Sequence, residues 1–125
     1  MGYIPKIQSG NEAYVHHMML YECHDDQRGS WEAFEHHVNS GYECNTPNMP
    51  RDFKKCKGIV AGWGVGGEPF YFPEEAGYPM GEEHGGSKYY MFEVGTFGFL
   101  RLSLAGVFFV RRCQNSDHWK FQKLR

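Results

Sequence analysis

The 125-residue sequence lacks a long apolar run. Its most hydrophobic stretch, residues 102–110, is far shorter than the ~20 residues that a membrane-spanning helix needs, and Arg101 stands beside it. No membrane role is therefore indicated. The opening "MGYIPKIQSGNE" has no basic segment followed by an apolar one, so no signal peptide is read there. An excess of charge of either sign is missing too. Thirteen Lys and Arg against 15 Asp and Glu leave a net charge of -2, which argues against a nucleic-acid surface. No helical period persists beyond a short stretch near residues 31–38. There is no internal repeat and no low-complexity tract. A G-x-S-x-G elbow, a phosphate-cradling glycine loop and a nucleophilic Cys-His signature are also absent, so no catalytic residue is named.

What the sequence does contain is turn formers and strand formers. Sixteen Gly and 6 Pro, in a chain that is 41% hydrophobic, fit one globular domain of short strands and many turns. Strands are expected over 13–22 ("AYVHHMMLYE"), 59–65 ("IVAGWGV") and 88–94 ("KYYMFEV"), with one or two more in 97–110. Residues 24–37 are polar, and "WEAFEHHV" reads as a short helix with Ser30 as its N-cap. Segments 40–52 and 66–86 read as loops, the latter with an aromatic "FYF" centre. The class is all-β, an antiparallel sandwich.

Seven histidines are the main metal-binding candidates. His16 and His17 lie side by side within the first expected strand. Neighbouring side chains on a regular strand point to opposite faces, so both reach one metal only if the strand bulges or the rings swing inward. Imidazole suits Cu, Zn, Fe and Ni, yet two rings leave a shell incomplete. On spacing alone, the pair is also satisfied by one buried and one exposed histidine, which is the default for an isolated His-His. His36 and His37 on the polar excursion, His24 and His84 in loops, and His118 in the basic tail read as solvated surface histidines. The same holds for the paired carboxylates Glu74-Glu75 and Glu82-Glu83, which sit in Gly- and Pro-rich loops.

Four cysteines permit two disulfides in three pairings, and an oxidising compartment is consistent with them. Cys23, Cys44 and Cys56 do not have the close pairs of a zinc ribbon. A disulfide tying the end of the first strand to the start of the second is the better reading. Cys113 stands apart in the tail, and a Cys44–Cys113 pair is one further possibility.

The order of the blocks goes further than any single motif. "GNEAYVHHMMLYEC", then Cys44 and Cys56, then "AGWGVGGEPFYFPEEAGYPMG", then "SKYYMFEV" resembles the copper type II ascorbate-dependent monooxygenases, and within them the dopamine β-monooxygenase-like branch. "YFPEEAGYPMG" is the most specific part, followed by the His-His pair. The resemblance covers residues 3–94, a partial N-terminal copper domain, and leaves 95–125 as a divergent tail of unknown fold.

The resemblance implies a jelly-roll-like β-sandwich that holds one copper, accepts electrons from ascorbate and passes them to a second copper domain. There O₂ is activated and a substrate C–H bond is hydroxylated; phenethylamine-like small molecules are the implied substrates. His16 and His17 match two of three histidine ligands of the electron-transfer copper. Cys23 and Cys56 match a family disulfide, and Cys44 matches a cysteine whose usual partner lies upstream of Met1. The aromatic Pro-Glu-Glu segment would pack one side of the domain. The implied location is extracellular or in secretory vesicles.

The chain departs from the pattern after "FEV". The family continues with the third histidine ligand, whereas Gly95 stands here and the next histidine is His118. The second copper domain, the N-terminal strands and a signal peptide are also expected to be missing. The resulting expectation is a monooxygenase fragment that is not active alone. The alternative is a non-catalytic copper-binding or partner-binding β-sandwich made as a short isoform.

Overall fold

We describe the chain from a computed structural model, over residues 2–25, 31–82 and 85–97, with the backbone alone of 104–109. Ser30, Glu83, His84, Cys113 and His118 lie outside the described residues.

The central strand is β2, Val15–Cys23. β-branched and aromatic side chains favour the pleat, and the two-residue period is visible in burial. Met18, Leu20 and Glu22 are buried while Val15, His17, Met19 and Tyr21 are half-exposed. Along the chain, β2 follows β1 (Gly2–Tyr3), and β3 (Gly41–Glu43), β4 (Cys56–Gly64), β5 (Phe70–Tyr71), β6 (Tyr89–Thr96) and β7 (Leu104–Phe109) come after it. One five-stranded sheet has the order β3-β7-β6-β2-β4, and β1 and β5 form a separate two-stranded ribbon. Every pairing is antiparallel. The all-β antiparallel class is thus what the chain adopts. The described strands make one sheet and one ribbon, and the sandwich is not established by them.

One face of the sheet carries the main core, built from Cys23, Phe34, Phe53, Cys56, Tyr89 and Met91. Residues 31–56 cross over it, with the four-residue helix α1 (Glu32–Glu35) and a 3₁₀ turn (Arg51–Lys55). Each of these short helices buries one ring, Phe34 and Phe53. Trp31, Phe34 and Tyr89 pack with ring centroids 5.5–6.0 Å apart. A Cys23–Cys56 disulfide joins β2 to β4 at this end. Cys44 packs against the core and is half-buried; burial first, then the Glu93 and Glu43 carboxylates, pushes its thiol up to about 11.

The opposite face buries Met18, Leu20 and Tyr90 and adds polar contacts to them. Buried Glu22 accepts hydrogen bonds from Tyr78 Oη and from the Ser87 backbone N–H, each at 2.7 Å. Ser87 Oγ donates to the Cys23 carbonyl. A carboxylate offers only acceptors, so these two donors tie Tyr78 and Ser87 to β2.

Several expectations change. Trp31 occupies the N-cap position of α1, without a side-chain cap. The loops over 40–52 and 66–86 contain the short strands β3 and β5, too brief to show a period. As expected for 97–110, the tail contributes a strand, β7, which pairs with both β6 and β3. His37 is no surface histidine. Its Nδ1 lies 2.8 Å from Tyr42 Oη, and its ring packs edge-on against Tyr42 and Phe53. His36, His24, Glu74, Glu75 and Glu82 are exposed, as read. Phe70 and Tyr71 are 45% and 56% exposed, and Phe70 stacks on Tyr3.

Candidate metal centre

His16 and His17 stand at the far end of β2 from the disulfide. In a regular strand they would face opposite sides of the sheet. Here the pairing with β6 runs Val15↔Thr96 and then His17↔Gly95, so His16 is an extra residue in β2 with no counterpart in β6. The ladder resumes beyond it, where the Phe97 N–H donates to the Tyr14 carbonyl at 2.8 Å. On the other side the Val65 N–H donates to the His16 carbonyl at 3.0 Å. The bulge turns the two rings toward one another, with Nδ1 atoms 3.0 Å apart and ring planes at 80°.

Neighbouring residues fix each ring. His16 is exposed and lies edge-on to Phe97, with centroids 4.6 Å apart. His17 is half-buried, and its Nε2 lies 3.4 Å from Glu93 Oε1. Glu93 also serves Tyr21, whose hydroxyl is raised above its ordinary pKa by burial and then by this carboxylate. Spacing could not have singled out Glu93, because it reaches His17 from another strand, 76 positions away in sequence. Only strand parity hints at it: Met19 pairs with Glu93 and His17 with Gly95, so all four share a face. Glycines flank β2 on that face. A Cβ at Gly62 would lie 3.0 Å from Met19 Sδ, and one at Gly95 would run into the His17 ring.

What can this arrangement hold? An ion bound by two imidazoles at about 2.0–2.1 Å each spans nitrogens up to roughly 4 Å apart. The 3.0 Å separation of the two Nδ1 atoms falls inside that span. The pair therefore fits two places in the shell of a metal that accepts imidazole. Among the described residues, no group of three His, Cys, Asp or Glu converges on one point. The three-histidine set that the resemblance implied is not assembled there, and Gly95 carries no side chain to supply it. His24 lies apart on the Glu22 side, 3.9 Å from that carboxylate. No helix among the described residues is long and apolar enough to cross a membrane.

An antiparallel β domain with two imidazoles converging through a bulge defines a candidate metal-binding β protein. Comparison with known proteins gives the family. The model for the copper type II ascorbate-dependent monooxygenase N-terminal domain matches residues 1–95, and the chain belongs to that family. It is 39% identical over 77 residues to DBH-like monooxygenase protein 1 of Homo sapiens, covering 62% of this chain and 12% of that protein. It is 36% identical over 90 residues to tyramine beta-hydroxylase of Caenorhabditis briggsae, covering 72% and 14%. To dopamine beta-hydroxylase of Canis lupus familiaris it is 32% identical over 92 residues, covering 74% and 13%. The chain thus spans about an eighth of the length of these relatives. No solved structure matches it.

Proposed function

We propose that this chain is a copper-binding, electron-transfer β domain of a dopamine β-monooxygenase-like enzyme, with His16 and His17 as metal ligands and no hydroxylase activity of its own. The observation that carries the reading is the convergence of the two Nδ1 atoms to 3.0 Å in a chain of this family. Bound there, copper supplies a one-electron redox centre for which ascorbate is the family's reductant. The protein's own residues do the rest. The β2 bulge brings the imidazoles together, Phe97 limits the swing of His16, and Glu93 accepts from His17. With Glu93 placed against Nε2, Nδ1 is the His17 atom that faces His16.

The hydroxylation of phenethylamine-like substrates belongs, on this reading, to a second copper domain that residues 3–94 do not encode, with 95–125 as a divergent tail. A secretory location suits both the Cys23–Cys56 disulfide and the family. The test is to supply the purified chain with copper, ascorbate and a phenethylamine and measure hydroxylated product. We expect no turnover above free copper. Product formation above that background refutes the inactive-alone part of the reading. A copper titration in which His16→Ala binds as well as wild type refutes the site.

A further inference from the structure

We propose that Phe97, which lies beyond the stretch matched to the family, is a positioning residue of the metal centre: its ring holds the exposed His16 imidazole turned toward His17 before any metal arrives. The two histidines are fixed in different ways. His17 is half-buried and has Glu93 against it at 3.4 Å. His16 is exposed and sits at the bulge, where β6 offers it no counterpart. An exposed side chain changes rotamer within nanoseconds, so two adjacent imidazoles stay face to face only if something restrains the outer one. Two rings lie edge-on to His16, and Phe97 is the closer. Its centroid is 4.6 Å away with the planes at 81°, against 5.3 Å and 80° for His17. Edge-to-face is one of the arrangements that aromatic pairs prefer.

The backbone of Phe97 makes the ring a fixed support. Its N–H donates to the Tyr14 carbonyl at 2.8 Å, just past the Val15↔Thr96 pair. That bond ties residue 97 to the stretch of chain that carries His16, so ring and imidazole are referred to one piece of backbone. Nor is Phe97 spent on the core. It is 49% exposed and stands outside the buried cluster of Phe34, Phe53 and Tyr89. A large apolar side chain left half in water gains little from burial, and what its ring packs against is His16. The family match ends at residue 95. The contact therefore comes from the divergent end of this chain, and it pre-organises a ligand pair in which only the inner ring is held by burial and a carboxylate.

The affinity arm of the test rests on the copper reading, while the structural arm does not. On the metal-free full chain, NMR is expected to show ring-to-ring contacts of His16 with both Phe97 and His17. Phe97→Ala should abolish the His16–His17 contact and leave the far-UV circular dichroism unchanged. Phe97→Leu keeps apolar bulk without a ring and should lose the contact too, whereas Phe97→Tyr keeps the ring and should retain it. In copper titrations, Phe97→Ala and Phe97→Leu should bind about 2–10-fold more weakly than wild type, the range that one aromatic pair supplies. Phe97→Tyr should bind as wild type does. Adding Phe97→Ala to His16→Ala should cost no further affinity. A His16–His17 contact that persists in Phe97→Ala overturns the proposal. So does an equal loss of affinity from Phe97→Ala with and without His16, because the ring would then act on something other than that imidazole. If wild type and His16→Ala bind copper equally, the copper reading fails, and the NMR contacts alone decide whether Phe97 positions His16.

Discussion

The two ends of β2 lie on the same strand and are built on opposite plans. At the Cys23 end, the sheet is cross-linked to β4 and roofed by residues 31–56, and its rings are almost fully buried: Phe34 and Phe53 are each 1% exposed. At the His16 end, the strand bulges, glycines replace larger partners, and Tyr14, Val65 and Phe97 are 61%, 58% and 49% exposed. Rigid packing is concentrated away from the imidazoles. The site end gives up burial, and regular pairing with β6, so that two adjacent side chains can face each other; the ladder with β4 is regular there and shifts register nearer Cys23, between Leu20 and Tyr21 and between Glu22 and Cys23.

The sharpest way to break this contrast is to attack the buried end. Phe53→Ala empties a site among His37, Tyr42 and the core, and should cost about 3–5 kcal/mol. Reducing the disulfide, which spans 33 residues of chain, should cost about 3–4 kcal/mol in the loop-entropy account. Urea unfolding with and without reductant measures both. A loss below about 1 kcal/mol for Phe53→Ala would show that the cluster does not hold the domain together.

Next in size is the buried carboxylate on the opposite face. Glu22→Gln keeps the shape but turns an amide donor toward Tyr78 Oη or the Ser87 N–H. With the residue only 8% exposed, the mismatch should cost about 1–3 kcal/mol. Unchanged stability, read from the same urea curves, would mean that Tyr78 and Ser87 are held by something other than this carboxylate.

Alkaline pH probes two half-buried groups, one packed on the core and one bonded to Glu22. The Cys44 thiol is pushed up to about 11 from an ordinary 9.0, and Tyr78 to about 12 from 10.0. Burial leads in both cases. A raised pKa means that the folded state holds its proton more tightly than the unfolded one. Stability is then full below the unfolded pKa and declines as pH rises, from about 9 to 11 for Cys44 and from about 10 to 12 for Tyr78. Cys44→Ala should flatten the first part of that decline. Thermal unfolding at intervals from pH 8 to 12 checks the sign, and a rise in stability over that range would contradict the burial of both groups.

The same contrast explains what could be read from the chain. β2, β4 and β6 were legible because each is a run of apolar, aromatic and β-branched residues long enough to show strand character. β3 and β5, of three and two residues, exist only through their partners, and no local pattern marks them. His37 read as surface because the "WEAFEHHV" stretch is polar; its contacts are Tyr42 and Phe53, which the chain brings in later. At the site, the identities of His16 and His17 were visible and their geometry was not. The bulge depends on how β6 pairs with β2, and Glu93 and Gly95 matter only through that register.

The smallest expected effect on stability is also the most informative. His16 is exposed, has no counterpart in β6 at the bulge, and its ring lies edge-on to the rings of His17 and Phe97. Replacing it with Ala removes no core contact and leaves no buried partner unsatisfied, so unfolding should shift by no more than about 0.5 kcal/mol. Copper binding, on the proposed reading, should fall steeply in the same variant, because one of two nitrogen donors is gone. Stability and binding thus separate at this end of the strand, whereas at the Cys23 end they would fall together. If His16→Ala destabilises the fold by more than about 1 kcal/mol, the imidazole is a packing element, and the division of β2 into a structural end and a site end is wrong.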